Sequence, residues 1–152
     1  MTHIQQATAN DVPTLLPLVA TYWRFEGIAD FEQERAAAQL TRLFTNPELG
    51  AGWIAFVDGL AVGYLLAVHV FSLEHLGLTA EIDELFVHSS QRGKGIGGKL
   101  LQNAETECVR RGCTNIALQL SRNNDSAREF YHRLGYAPRS GYELLDKRLE
   151  TC

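Results

Sequence analysis

The sequence is poor in the features that mark several large classes of protein. It has only 3 cysteines in 152 residues, and no two of them are spaced as C-x-x-C. A disulfide framework or a zinc cage is therefore not expected, and the thiols suit a reducing cytosol. Its longest apolar stretch, residues 60–73, is interrupted by Gly63, His69 and Ser72 and is too short to span a bilayer.

Basic residues are not in excess either. The chain carries 14 Lys and Arg against 18 Asp and Glu, which gives a formal charge of −4. A dedicated nucleic-acid-binding domain usually shows a basic excess, so the charge argues against that class. The first eleven residues lack the basic and apolar regions of a signal peptide. We therefore expect a cytoplasmic protein that binds neither nucleic acid nor membranes.

The composition is that of one ordinary globular domain. Hydrophobic residues make up 45% and charged residues 21% of the chain. A chain of this length buries roughly 70% of the surface that its unfolded form exposes, so it needs no disulfide or metal to hold its core. No internal repeat or linker divides it, which predicts a single domain over residues 1–152.

Hydrophobic periodicity predicts a mixed α/β sheet. Asp58-Gly59 between two apolar runs predicts a hairpin, because both central residues of the favoured turn need positive φ. Pro17 is expected to bend or interrupt the first helix, and Asp30 to cap the second. Strands are predicted at residues 3–7, 51–57, 60–71, 79–88, 114–120 and 142–149. With the intervening helices the predicted order is β-α-α-β-β-β-α-β-α-β.

A glycine-rich loop between a predicted strand and a predicted helix is the most informative segment. Four glycines lie within the six positions 93–98, flanked by Arg92, Lys94 and Lys99. Glycine lets a ligand approach the backbone closely, and the amides at the start of a helix favour an anion. The segment therefore predicts a site for phosphate groups.

Two nucleotide-binding patterns match this loop but fail on their context. Gly93-x-Gly95-x-x-Gly98 matches the dinucleotide fingerprint, yet no acidic residue ends the following strand to hold a ribose. The same loop matches a Walker A core, but Leu100 stands where a magnesium-binding Ser or Thr is needed. An NADP-binding fragment that uses Arg122 stays open as a weaker alternative.

A third pattern uses more of the chain. Arg92-x-x-Gly95-x-Gly97, between an apolar strand and an amphipathic helix, resembles the pyrophosphate loop of the GNAT N-acetyltransferase superfamily. The strand before it, residues 82–87, resembles the family's central strand. A later segment resembles its second cofactor-contacting segment: Asn124-x-x-Ala127-x-x-Phe130-Tyr131-x-x-x-Gly135-Tyr136. Gly95 and Asn124 are 29 residues apart, with one helix and one strand between them, as the family requires.

The resemblance implies a fold, a co-substrate and a set of site residues. The fold is a single-domain GNAT fold with a mixed, mostly antiparallel sheet flanked by helices, and the co-substrate is acetyl-CoA, with no metal. Tyr131 would be the general acid that protonates the departing thiolate. The implied acetyl-CoA-binding residues are Leu85, Phe86, Val87, Arg92, Gly93, Lys94, Gly95, Ile96, Gly97, Gly98 and Asn124.

Three carboxylates crowd the strand before the loop, and one of them is expected to be the general base. An amine is mostly protonated at neutral pH, so transfer needs a group that accepts its proton. We favour Glu84, with Asp83 and Glu81 behind it. Period-2 alternation puts Glu81 and Asp83 on one face and Glu84 on the other, unless a bulge changes the assignment.

The predicted function is direct acetyl transfer from acetyl-CoA to a primary amine of a small molecule or peptide. The carboxylates favour a cationic acceptor. No cysteine has a visible base partner, which argues against a covalent enzyme intermediate. The alternative is a catalytically silent GNAT module that binds acyl-CoA. Many members of the family are dimers, so a homodimer stays open.

Overall fold

The computed structural model describes residues 1–150, and its strands form a five-stranded sheet. The strands are β1 (Thr2–Gln6), β2 (Gly50–Val57), β3 (Leu60–Ser72), β4 (Gly77–Val87) and β5 (Ile116–Leu118). The helices are α1 (Val12–Glu26), α2 (Gln33–Thr45), α3 (Ile96–Arg110) and α4 (Asp125–Arg133). Strands β1 to β4 are antiparallel neighbours in that order, and β5 is parallel to β4. The predicted mixed, mostly antiparallel α/β sheet is thereby confirmed.

The chain divides into two compact units. The first, Met1–Gln119, contains the whole sheet and helices α1, α2 and α3; the second begins at Leu120 and contains α4. None of the helices in residues 1–150 is long and apolar enough to cross a bilayer.

Both faces of the sheet in the first unit are buried. One face packs under α1 and α2, where Leu15 and Leu40 join Tyr64, Leu66 and Phe86 in the buried core. Successive strand residues point to opposite faces, so their neighbours face the other side, where α3 packs against β2, β3 and β4. Burial of each large aliphatic side chain contributes about 1.5–3 kcal/mol. This two-sided core fixes strand β4 in place between β3 and β5.

Several local predictions are confirmed by the backbone. Asp58 and Gly59 have φ values of 49° and 83°, the two positive angles that the predicted hairpin turn requires. Helix α3 ends at Arg110, two residues before Gly112, whose φ is 87°. The backbone N–H of Cys113 then bonds the carbonyl of Cys108 at 2.8 Å, which closes the helix end.

One of the two outcomes expected at Pro17 is absent, and the predicted cap of α2 is wrong. Helix α1 runs through Pro17 without interruption, because the burial of Leu15 and Val19 against the sheet outweighs the missing backbone donor. Asp30 does not cap α2. It has a φ of 62° in the connecting segment, and the residue at the cap position is Glu32.

The last predicted strand is also wrong. Residues 142–149 form neither helix nor strand, so the element order in residues 1–150 ends at α4. The apolar residues of this segment do not alternate, since Leu144 and Leu145 are adjacent and three charged residues follow them. Their side chains are 68% and 82% exposed, which is not the half-buried surface that stabilises a strand. Cys152 lies outside the described residues.

Candidate active site

Strand β4 contains a β-bulge at Asp83. The consecutive residues Leu66 and Ala67 of β3 pair with Glu84 and Ile82, so Asp83 is an extra residue in the ladder. Leu66 and Ala67 point to opposite faces of the sheet, and their partners Glu84 and Ile82 must do so too. Glu84 therefore points to the face that α1 and α2 cover.

The bulge overturns the predicted placement of the three carboxylates. Glu81 pairs with Val68, which lies on the same face as Leu66. Glu81 and Glu84 thus share a face, whereas the simple alternation had separated them, and Asp83 has no register partner that would assign its face. The side chain of Gln119 donates to Glu81 at 3.2 Å.

The bulge also marks the point where β4 loses one of its neighbours. Strand β5 pairs with β4 only at residues 80–82, and it ends at Leu118. Residues 84–87 of β4 continue to pair with β3 on the other side. The two parallel strands therefore separate beyond Ile82, and in the described residues 1–150 the β4 backbone that follows has no strand partner on the β5 side.

Glu84 is held by two hydrogen bonds from different elements. The hydroxyl of Tyr64 on β3 donates to Oε1 at 2.7 Å, and the indole Nε1 of Trp23 on α1 donates to Oε2 at 3.0 Å. Tyr64 is fully buried. Each carboxylate oxygen thus accepts one bond, which fixes the orientation of the side chain.

Burial changes the pKa of the Glu84 carboxyl group. It raises the pKa of Glu84 above the ordinary glutamate value; the bonds from Tyr64 and Trp23 oppose that rise, and the charge of Asp83 adds to it. Desolvation also raises the pKa of Asp83. Burial and the nearby Glu84 carboxylate raise the pKa of Tyr64, so the phenol stays a donor. A glutamate with a raised pKa is a better proton acceptor than an ordinary one.

The glycine loop follows β4 after a short 3-10 turn at Ser89–Gln91. Gly93 and Gly95 have φ values of 78° and 80°, and Gly95 is the cap residue of α3. The first bond of the helix runs from the N–H of Lys99 to the carbonyl of Gly95 at 3.1 Å, so the amides of residues 96–98 have no partner within the helix. A Cβ atom built on Gly93, Gly95 or Gly98 would meet nothing within 4 Å. The loop therefore has open space at these glycines, next to a helix start whose first amides have no partner within the helix.

The two loop cations are exposed, and each contacts a neighbouring residue. Arg92 donates from Nε to the carbonyl of Val87 at 2.9 Å, and its guanidinium lies 4.6 Å from the ring centroid of Phe25 on α1. Lys94 donates to Gln91 at 3.2 Å. Both positive charges therefore lie at the surface beside the glycine loop.

The remaining two predicted site residues lie together in the second unit. Asn124 is the cap residue of α4, and its Oδ1 accepts the N–H of Ala127 at 3.1 Å, which leaves its Nδ2 to act as a donor. Tyr131 is half-buried on the same helix. Its ring centroid lies 5.1 Å from that of Phe130 and 5.6 Å from that of Tyr136. Within residues 1–150, no three His, Cys, Asp or Glu side chains are grouped so that they could hold a metal ion.

The sequence did not reveal the partners of Glu84. Tyr64 is one aromatic residue in a long apolar strand, and its approach to Glu84 depends on the register of the hairpin and on the bulge. Trp23 could be read from its helical spacing as a core residue or as part of an acceptor site. Trp23 and Glu84 are 61 positions apart in the chain, and no local sequence pattern encodes a contact over that separation.

Residues 15–136 match the acetyltransferase (GNAT) family. The chain belongs to this family. A relative from Archaeoglobus fulgidus, an uncharacterized N-acetyltransferase, is 38% identical over 131 residues, which cover 84% of this chain and 88% of the relative. The family and this relative identify the chain as an N-acetyltransferase of the GNAT family, as predicted.

Solved structures agree with the GNAT fold. An integron cassette protein from the mobile metagenome of Cole Harbour Salt Marsh has a TM-score of 0.86 at 28% identity, covering 98% of this chain and 91% of that one. A predicted acetyltransferase from Clostridium acetobutylicum, solved with acetyl-CoA, has a TM-score of 0.82 at 18% identity, covering 96% of each chain. At that identity the second likeness concerns the fold alone.

Proposed function

We propose that this acetyltransferase transfers an acetyl group directly from acetyl-CoA to a primary amine of a small molecule or peptide. The observation that carries the proposal is the structure of β4. Within residues 1–150, one short segment holds a strand edge at residues 83–87 with no strand partner on the β5 side, a half-buried carboxylate at Glu84 and, just beyond it, the open glycine loop.

The pantetheine arm of acetyl-CoA would bind along the unpaired edge of β4. An exposed strand edge offers a row of amide donors and carbonyl acceptors, and an amide-containing chain can pair with it as an added strand. The backbone of Leu85, Phe86 and Val87 would supply these groups, and an amide of this segment would stabilise the tetrahedral oxyanion. Deletion of such a donor in other enzymes costs about 2.7–4 kcal/mol. Asn124 would hydrogen-bond the same arm through Nδ2.

The pyrophosphate would bind to the backbone amides of residues 92–98. The open space in front of the glycines and the unpaired amides of the first turn of α3 support this assignment. Acetyl-CoA is anionic and is supplied in the cytoplasm, which is where we place the protein. The thiols of Cys108 and Cys113 are free, as suits that reducing compartment.

Glu84 would accept a proton from the attacking amine, directly or through a water molecule. The amine nitrogen then forms a bond to the thioester carbonyl carbon, the C–S bond breaks, and the thiolate of CoA takes a proton from Tyr131. Asp83 lies beside Glu84 on the bulge, and the two negative charges favour a cationic acceptor. No covalent enzyme intermediate is needed.

The test is a thiol-release assay with acetyl-CoA and a panel of amines: polyamines, aminoglycosides, amino acids and peptides with free N-termini or lysines. We expect release that depends on one acceptor class. Tyr131→Phe should lower kcat by about 10²–10⁴-fold while the Kd of acetyl-CoA, measured by calorimetry, stays nearly unchanged. Binding of acetyl-CoA without release for any amine would instead favour the silent acyl-CoA-binding module. Unchanged kcat in Tyr131→Phe would remove Tyr131 from the mechanism.

A further inference from the structure

We infer that Trp23 and Tyr64 are positioning residues for the base Glu84, and that Trp23 joins this base to the segment between α1 and α2. The inference rests on the proposed function for the role of Glu84, but the hydrogen-bonded unit itself rests on geometry alone. Neither residue belongs to the strand or to the loop that the family pattern marks.

The two donors hold the carboxylate from two directions. Tyr64 donates from β3 to Oε1, and Trp23 donates from α1 to Oε2, at 2.7 and 3.0 Å. A carboxylate oxygen can accept more than one hydrogen bond, so each oxygen keeps capacity for a proton from an amine or a water molecule. The unit therefore fixes Glu84 in one orientation without blocking it. A buried polar group would otherwise cost free energy, so these bonds also allow Glu84 to be ionised there.

Trp23 also connects the unit to the segment between α1 and α2. Its ring meets that of Phe31 edge to face, with the centroids 5.3 Å apart. Phe31 lies in the segment of residues 27–32 that connects α1 to α2. A change in the position of this segment therefore acts on the residue that holds the base.

Few other ionisable groups lie around the unit in the described part of the chain. Asp83 is next to Glu84 on β4, Glu81 shares its face, and Tyr22 of α1 lies edge to face with Tyr64, 6.3 Å between centroids. The guanidinium of Arg92 lies 5.8 Å from the ring of Phe86, two residues further along β4. Desolvation raises the pKa of Asp83 as it does that of Glu84, so Asp83 is the neighbour that the test must separate from Glu84.

The chain offers a direct probe, because it contains two tryptophans. Trp53 pairs with Leu65, which neighbours Tyr64 in sequence, so Trp53 lies on the opposite face of the sheet from Glu84. In a ¹H–¹⁵N spectrum, we expect the indole N–H resonance of Trp23 to move with pH as Glu84 titrates. The resonance of Trp53 should stay in place. The movement should persist in Asp83→Asn and disappear in Glu84→Gln.

Kinetics then test the positioning role. Trp23→Phe keeps an aromatic ring and removes the N–H donor that favours the ionised carboxylate. We expect the acid limb of the kcat/KM profile to move to higher pH, so that kcat/KM on that limb falls roughly tenfold, as for loss of a hydrogen bond to a charged group. Above the limb, kcat/KM should recover to within about threefold. Tyr64→Phe should move the limb in the same direction, and Trp53→Phe is the matched control that should leave it in place.

Two results would overturn the inference. One is a Trp23 resonance that ignores both pH and Glu84→Gln. The other is a Trp23→Phe variant whose kcat/KM falls equally at every pH, which is what a purely structural role predicts. A wild-type protein that binds acetyl-CoA and acetylates no amine would refute the proposed function. In that same sample, the indole resonance would still decide whether Trp23 holds Glu84.

Discussion

The two halves of strand β4 carry different kinds of residue under different constraints. Residues 78–82 have chain on both sides, with β3 on one and residues 114–118 on the other, and their buried side chains include Ala80 and Ile82. In the part of the chain that the structure describes, residues 84–87 pair with β3 alone, and the segment 83–87 begins with two carboxylates. A single extra residue, Asp83, separates the two halves.

The comparison shows how one strand can serve both the core and the chemistry. Where both edges are paired, burial and backbone bonds add to stability and leave no backbone group for a ligand. Past the bulge, β4 no longer pairs with β5, and that edge of the strand has space for a substrate. Bulges often lie next to active sites for this reason.

The largest expected effect comes from Glu84 in the open half. Glu84→Gln should lower kcat/KM by about 10²–10⁴-fold and abolish the acid limb of the pH profile, because the proposed general base is lost. The Kd of acetyl-CoA should hardly change. Glu81→Gln is the matched control on the same face of the paired half, and it should retain activity within about threefold. Equal losses in the two variants would contradict the division of β4.

Ile82 in the paired half should behave in the opposite way. Ile82→Ala removes a buried side chain facing α3 and should lower the free energy of unfolding by about 2–5 kcal/mol. Ile82→Val should cost only about 0.5–1.5 kcal/mol. Denaturant unfolding measures both. If the folded Ile82→Val protein lost activity as severely as Glu84→Gln, the two halves of β4 could not be treated as separate.

Deletion of Asp83 removes the boundary itself. Ile82 and Glu84 would become neighbours and would still point to opposite faces, so the protein should fold. Without the bulge Glu84 would shift along the strand, and a displacement of about 1 Å can cost roughly a hundredfold in kcat/KM. Asp83→Ala, which keeps the extra residue, should lose much less. Full activity in the deletion variant would show that the bulge is dispensable.

The smallest expected effect is on the pH dependence of stability. The folded protein holds the proton of Glu84 more tightly than the unfolded chain, because its folded pKa is raised. Its contribution to the free energy of unfolding is therefore fully present below the unfolded pKa and is lost as pH rises through the folded pKa. Relative to Glu84→Gln, wild type should become less stable across that interval, by at most about 1.4 kcal/mol per pH unit.

Urea unfolding of the two proteins between pH 3.5 and 7 measures this difference. Glu107, whose pKa Arg110 and Arg111 lower, contributes in the opposite direction, but it does so in both proteins and cancels. A difference that is constant with pH, or that favours wild type as pH rises, would contradict the raised pKa.

Local signals predicted most of the fold. The Asp58-Gly59 turn and the succession of strand, glycine loop and helix around residues 93–98 are encoded within a few residues of each other, and the structure has them where the sequence indicated. The strand at residues 142–149 failed because a strand depends on a partner. A run of suitable residues cannot supply one by itself.

The candidate site was predicted in its residues more than in its geometry. The carboxylate of Glu84 and the glycine-rich loop that follows it can both be found from residue types and their spacing in the sequence. The face that Glu84 occupies depends on a one-residue register shift opposite Leu66 and Ala67, and its donors come from α1 and β3. Register and long-range contacts result from packing the whole sheet, so no local pattern could reveal them.

The unpaired edge of β4 also has a consequence for inhibitor design. An edge that accepts an amide-containing arm by backbone pairing should equally accept a short extended peptidomimetic, since the hydrogen bonds do not depend on the identity of the side chains. A compound of this kind would need neither adenine nor phosphate groups. It could then enter cells more readily than an analogue of CoA, and an amine placed at its end toward Glu84 would give it selectivity.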